Sequence, residues 1–336
     1  MLVNNRIFTH LKVHTQYSIC EGAIKIDELA NYCKLKKIKS IGLADSHNLC
    51  GALEFSEKIT KVGTHPIIGT QINLNLSGVI GKISLYANTE DGYKNLTKLS
   101  SLSYLKDDKM TDPSCSLKDL TENNEGLIIL TGNYTNFFGK LFYKNKLRDF
   151  EQILNSLKKI FGDRLYIEIQ RHNELQEKNY ENYLLNISNS LQIPLIATQE
   201  IFYINKDMHE AHDALICIGE KKFIDDKNRF KYNNQHYFKS QEELEKLYSD
   251  IPEALENNYN FHLRFSFKPK KSKPILPSIT SKDSRSPEEE LSKLAKIGLE
   301  NRLKYFILKK NKTKSKDQIE KIYEDRLTHE INIINS

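Results

Sequence analysis

The sequence predicts an α/β protein built on a barrel-like sheet, and three observations lead there. Seven short apolar stretches, 7–13, 40–45, 66–74, 82–87, 127–131, 165–169 and 194–198, have the length and composition of strands. Between several of them lie segments with apolar residues at helical spacing, at 28–37, 96–105, 149–161 and 177–191. Polar side chains gather where the strands end: His14, Asp45-Ser46-His47-Asn48, Gln71, Gln170-Arg171-His172 and Gln199-Glu200. Alternating strand and helix argues a parallel sheet or barrel. Seven strands suggest a closed barrel somewhat short of the eightfold one, whose working residues sit at the C-terminal strand ends.

The elements follow in order. In the first strand Leu11 and Val13 alternate with Lys12 and His14, so the latter two share a face. Asp27 is placed to cap the helix over 28–37. Beyond residue 200 the pattern changes. Segments 206–219 and 240–248 read as helices, the second opened by Ser240 and Glu243 at capping-box spacing. Residues 268–285, rich in Pro, Ser and Lys and without periodicity, read as a linker. Ser286-Pro287 with Glu289 then starts a helix, and Ser315 with Gln318 starts another, carrying Ile319, Ile322, Leu327, Ile331 and Ile334. The chain thus divides into a domain over 1–267, a linker over 268–285, and a segment 286–336 that reads as the incomplete beginning of a further domain.

Composition narrows the class. Hydrophobic residues make up 39% and charged residues 28%, a soluble globular balance with no apolar run near the ~20 residues of a membrane span. Nothing at the N-terminus has the apolar core of a signal peptide. Five scattered cysteines form neither a paired framework nor a C-x-x-C motif, which fits a reduced, cytoplasmic compartment. Cys20 and Cys50 read as packing residues. The net charge of +6 is mild. Two denser clusters, Lys268 to Lys273 and Lys309 to Lys316, are solvated linkers on the plain reading and phosphate contacts on the sharper one.

His10-Leu-Lys-Val-His14, Tyr17-Ser18, Gly42-Leu-Ala-Asp45, Gly51-Ala-Leu-Glu-Phe55 and Pro66-Ile-Ile-Gly69 carry a resemblance. Gly126-Leu-Ile-Ile-Leu-Thr-Gly132, Glu168-Ile-Gln-Arg-His172, His209-Glu-Ala-His212-Asp213 and Gly298-Leu-Glu-Asn-Arg302 continue it in order. The chain resembles bacterial replicative, C-family DNA polymerase III alpha subunits: their N-terminal PHP (polymerase and histidinol phosphatase) domain and the start of their palm. The resemblance implies a distorted seven-stranded βα barrel followed by the first palm helices. It implies a parent DNA-directed DNA polymerase, a nucleotidyltransferase using magnesium, whose palm carboxylates come later than Ser336. No catalytic residue and no cofactor is then expected in this segment. The implied partners are the proofreading exonuclease subunit, other replicase subunits and, for the complete protein, DNA; no membrane is implied.

Active PHP domains hold metal ions with histidines and carboxylates at the strand ends, and the resemblance assigns those slots one by one. The opening H-x-H falls on Lys12 and His14, and a following ligand on Glu21. An Asp-His pair falls on Asp45-Ser46, with His47 displaced by one. A glutamate slot falls on Gln71 and a histidine slot on Lys82. His172 fills its slot, and a closing Asp-x-His falls on Glu200 and Phe202. Lysine has no lone pair to give, and a phenyl ring none at all. The set His14, Glu21, His172 and Glu200 supports at most one weakly held ion, not a cluster. Removing cations leaves Glu21, Asp45 and Glu200 as crowded anions, so Lys12 and Lys82 are expected to pair with the surviving carboxylates. His209 and His212, i and i+3 on a helix, are expected to be structural.

Three functions compete on this reading. The first is a polymerase segment whose PHP domain is inactive and docks the exonuclease. The second is an active metal-dependent PHP phosphoesterase or 3′–5′ exonuclease. The third is a nucleic-acid-binding module acting through the basic clusters.

Overall fold

The computed structural model describes residues 6–105, 112–275, 277, 285–310 and 315–336. Parts of the predicted linker, and residues 311–314 of the second basic cluster, lie outside the described residues. The nine strands described are β1 (His10–Val13), β2 (Ser40–Ser46), β3 (His65–Leu76), β4 (Val79–Ala87), β5 (Ser114–Cys115), β6 (Leu127–Leu130), β7 (Leu165–Gln170), β8 (Leu195–Thr198) and β9 (Glu200–Ile201). They form a nearly closed sheet in the order β8-β7-β6-β4-β3-β2-β1-β9, with β5 alongside β3.

All seven predicted strands are present, but the sheet is mixed. β4 runs antiparallel to both β3 and β6, whereas the remaining pairs are parallel. The reason is local: only Ser77 and Gly78 separate Leu76 from its partner Val79, and both have positive φ. Two such residues make the tight hairpin turn that matches strand twist, and they leave no room for a crossover helix. Two short strands escaped the sequence reading. β9 exists because Lys12 and Val13 pair with Glu200 and Ile201 immediately after β8.

Between β8 and β1 the ring is closed by a side chain. Buried Asn258 accepts from the Thr9 amide (2.8 Å) and donates to the carbonyls of Thr9 (2.9 Å) and Ala197 (2.9 Å). It thereby satisfies backbone groups a missing ladder would otherwise leave bare.

The helices are α1 (Ile26–Lys36), α2 (Ala52–Lys61), α3 (Glu90–Leu105), α4 (Leu117–Glu122), α5 (Phe137–Tyr143), α6 (Leu147–Phe161), α7 (Glu177–Leu191), α8 (His209–Glu220), α9 (Gln241–Leu247) and α10 (Pro252–Phe261). Asp27 is not the cap of α1; it sits in the first turn, and Lys25 occupies the cap position. Its carboxylate still lies where the helix dipole favours a negative charge. Ser240 and Glu243 do form the reciprocal capping box of α9. Helix α10 begins with Pro252 at its first positions and was not foreseen as a helix.

One compact unit spans Met1–Lys271 and a second spans Ser272–Ser336. Within the first, the start of the predicted linker is fixed: Ser56 donates to the Pro269 carbonyl (2.8 Å), and Lys271 lies 3.1 Å from Glu57. The second unit consists of α11 (Pro287–Arg302), a π-helical turn (Leu303–Ile307), α12 (Leu308–Lys310) and α13 (Lys316–Asn335). Both predicted capping boxes, Ser286 with Glu289 and Ser315 with Gln318, are present. In this unit only Leu303 and Ile319 are buried among the described apolar residues. Cys50 is exposed, so it is not the packing residue the sequence suggested.

Candidate functional site

The barrel interior is layered. An apolar layer of Leu11, Ala44, Ile67, Tyr86, Ile128 and Ile196 is capped by Phe261 and Phe265. Toward the C-terminal strand ends the filling turns polar: Lys12, Gln71, Ser84, Glu168 and Thr198 are all fully buried.

Lys12 reaches the interior through an irregularity in β1. His10 pairs with Ile41 and Val13 with Leu43, so three steps along β1 match two along β2. The extra residue lies opposite Gly42, where a Cβ would meet the Leu11 carbonyl oxygen at 2.4 Å. A bulge of this kind puts neighbouring side chains on one side, so Leu11 and Lys12 both serve the interior.

Lys12 and His14 meet at one atom, as their shared strand face predicts. Glu200 Oε1 lies 3.7 Å from Lys12 Nζ and 3.1 Å from His14 Nε2, and accepts from Gln71 Nε2 at 2.7 Å. Asn133 donates to the other oxygen (3.2 Å). Burial by itself raises a carboxyl, but the Lys12 charge and the His14 hydrogen bond hold Glu200 well below the usual carboxylate range. On its other side Lys12 Nζ lies 3.4 Å from Glu168 Oε1, which also accepts from Gln170 (2.7 Å) and from Thr198.

A second ion pair stands at the mouth. Lys82 Nζ donates to Glu21 Oε1 (2.5 Å) and to Ser46 Oγ (2.9 Å), and Ser46 donates to Glu21. Burial by itself raises the Glu21 carboxyl, but Lys82 together with His14 and Ser46 lowers it overall. Glu21, Ser46, Lys82 and Glu200 line one cavity of about 530 Å³, together with His47, Asn136, Lys140 and Tyr232. His47, displaced by one residue from the expected slot, is thus at the mouth all the same. Burial, with Lys82 nearby, lowers it to about 4.

Residues 10–172 match the family model of the PHP domain. The chain is thus similar to PHP domains over that segment. It is 36% identical over 311 residues to the DNA polymerase III subunit alpha of Caulobacter vibrioides, covering 90% of this chain and 27% of that protein. The corresponding protein of Rickettsia bellii is 36% identical over 331 residues, covering 98% of this chain and 28% of its own length. The chain therefore spans little more than a quarter of the curated relatives it matches. A solved amidohydrolase from Chromobacterium violaceum aligns at 10% identity over 58% of this chain and 87% of that one, with a TM-score of 0.38.

The PHP slots fare differently one from another. Asp45 is buried but, among the described residues, pairs with no lysine; it accepts from the Thr15 amide (2.6 Å), Thr15 Oγ1 (2.7 Å) and Ser18 Oγ (2.7 Å), and burial raises its carboxyl. The expectation that lysines would pair with it fails because these hydroxyls already occupy its oxygens. His172 is not free to ligate. Its Nδ1 faces Glu177 Oε1 (3.2 Å), its Nε2 accepts from the Glu200 amide (3.4 Å), and its ring stacks on His236 at 4.1 Å. Phe202 fills its slot with an apolar ring packed on His14 (4.6 Å), Tyr232 (4.6 Å) and His212 (5.4 Å). His212 Nε2 donates to the Glu21 carbonyl (2.8 Å), and His209 Nε2 bonds the Tyr232 carbonyl (2.9 Å), both structural contacts.

The donor set does not fit a cluster of cations. Two ammonium groups stand among the carboxylates, and among the described residues no group of three or more His, Cys, Asp or Glu is placed to hold an ion. Like charge repels, so the Lys12 and Lys82 ammonium groups oppose a divalent ion. Sequence reasoning missed Glu168, the nearer partner of Lys12. Its signal was legible: one carboxylate inside the apolar run Leu165-Tyr-Ile-Glu-Ile169, which burial leaves in need of a countercharge or hydrogen-bond donors. Asn133 gave no such signal.

Proposed function

We propose that this chain is the PHP-bearing part of a bacterial DNA polymerase III alpha subunit, the template-directed DNA polymerase of chromosome replication. It works in the cytoplasm with DNA and the other replicase subunits. Similarity over 90–98% of the chain to proteins of that name supports the reading. Nucleotidyl transfer and its magnesium then belong to palm carboxylates outside these 336 residues.

Within that protein the PHP domain is structural, has no phosphoesterase activity of its own, and docks the proofreading exonuclease subunit. The observation that carries the inactive reading is Lys12 Nζ between Glu168 and Glu200, a fixed cation in the slot of a metal ligand. The pocket formed by Lys12, His14, Glu21, Asp45, Ser46, Gln71, Lys82, His172, Glu200 and Phe202 is on this reading a remnant held together by internal ion pairs.

Elemental analysis of the purified chain, with hydrolysis of p-nitrophenyl phosphate and of 3′-labelled DNA under magnesium, manganese or zinc, tests it. The expected result is less than one ion per chain and no turnover above buffer. Two or more bound ions with metal-dependent turnover overturn it in favour of a working phosphoesterase or 3′–5′ exonuclease. Docking is tested separately by co-elution with the exonuclease subunit of the same organism. Independent elution at micromolar concentrations overturns that part.

A further inference from the structure

A second cavity opens at the opposite end of the barrel, where the strands begin rather than end. It measures about 370 Å³, within the range of small-ligand sites, and its wall includes His10, Tyr32, Lys36, Lys37, Phe238 and Lys239. None of these belongs to the PHP pocket described above.

Three features of the wall point to one ligand chemistry. His10 is only 5% exposed, and among the described residues its Nδ1 has no hydrogen-bond partner. A buried polar atom of that kind is costly unless something completes it. Lys239 is 6% exposed, and among the described residues no carboxylate lies within 4 Å of its ammonium, which donates to the Gln235 carbonyl and to Gln199 Oε1 (3.5 Å) and sits 4.4 Å from the Tyr237 ring centroid. Burial lowers this lysine to about 8. Lys36 and Lys37 close the end of α1, and Lys37 is held in the left-handed region at φ 53°. Against these three ammonium groups the wall sets one carboxylate, Glu242. Flat rings complete it: Tyr32 is 4.9 Å from Phe238, and His10 is 4.0 Å from Phe238.

Positive charge, a buried ring nitrogen without a partner and aromatic surface together select an anion that carries a planar ring. We propose that this cavity binds a ring-bearing phosphate monoester of the nucleoside 5′-monophosphate class. Lys36 and Lys37 meet the phosphate, Lys239 supplies field, and the ring lies against Tyr32 and Phe238 within reach of His10 Nδ1. Stacking and charge each contribute, so neither half alone binds as well.

Calorimetric titration of the whole chain with deoxyadenosine 5′-monophosphate, adenosine and inorganic phosphate tests the proposal. The nucleotide is expected to bind saturably, with adenosine and phosphate each at least tenfold weaker. Lys36→Glu with Lys37→Glu, both exposed positions, is expected to weaken binding at least tenfold at an unchanged melting temperature. The His10 ring resonances of the unaltered protein are expected to shift on binding. Absence of saturable binding overturns the proposal, as does phosphate binding as tightly as the nucleotide. Binding that survives the double substitution but is lost in Lys140→Ala overturns it too, since the ligand then occupies the other cavity.

Discussion

Lys12 Nζ lies 3.4 Å from Glu168 Oε1 inside a barrel where both side chains are wholly buried. The two residues come from strands that are not neighbours, so the pair spans the interior rather than bracing one ladder. Breaking a buried pair from one side leaves an uncompensated charge, at about 3–5 kcal/mol. Lys12→Met is therefore expected to destabilise the Met1–Lys271 unit by about 3 kcal/mol, roughly a 5 °C fall in melting temperature. Adding Glu168→Gln is expected to restore part of that loss. A double-mutant cycle with no coupling energy between the two sites contradicts the pair.

The pH dependence has a defined sign. Burial holds His10 and His172 down to about 3, and burial with Lys82 holds His47 to about 4, against an ordinary value near 6.5. A depressed folded value means that the unfolded chain takes up protons first as the pH falls. These groups contribute stability that is full above about 6.5 and lost as the pH drops toward 3. Glu200, also depressed, adds a loss that begins below about 4.5. Urea unfolding is expected to show falling stability from pH 7 to 5, before the carboxylates titrate. The slope in that interval is expected to be shallower in His172→Asn; an unchanged slope contradicts the assignment.

Period-two and period-3.6 patterns revealed seven strands, most of the helices and three capping boxes, because those features are local. What stayed hidden depends on distance along the chain. β9 comprises two residues whose pairing with β1 no local pattern encodes. The antiparallel course of β4 was within reach, since Ser77-Gly78 is a hairpin signal that a strict strand–helix reading passed over. In the pocket, the slots that the resemblance assigns and the need for countercharge led to lysines among the carboxylates but not to the partners, which are Glu21 for Lys82 and Glu200 for Lys12. Asp45 escaped that pairing because Thr15 and Ser18, hydroxyls with no charge to count, satisfy it instead.

Closure of the ring rests on Asn258. Its side chain makes three hydrogen bonds across the seam between β8 and Thr9. Asn258→Ala leaves a buried amide and two carbonyls without partners, at about 1–3 kcal/mol for each group. The expected outcome is a loss of at least 2 kcal/mol and faster hydrogen exchange at the Thr9 amide than at residues in the middle of β3. Uniform acceleration across the sheet would instead mean global unfolding without a seam.

The Lys12 ammonium occupies a ligand slot of the PHP pocket, so replacing it and the other lost ligands with metal donors is expected to restore metal binding. Lys12→His with Gln71→Glu and Phe202→His puts two imidazoles and a carboxylate beside His14 and Glu200, the donor types that divalent transition metals favour. Elemental analysis after zinc or manganese loading and dialysis is expected to give at least one ion per chain for the triple variant. The unaltered chain, loaded in parallel, is expected to retain less. Lys12→His alone is expected to fall between them, because it adds one imidazole while Gln71 keeps a neutral amide and Phe202 an apolar ring. Equal metal content in all three proteins means that the lysines do not control access, and the ion-pair account of the pocket then fails.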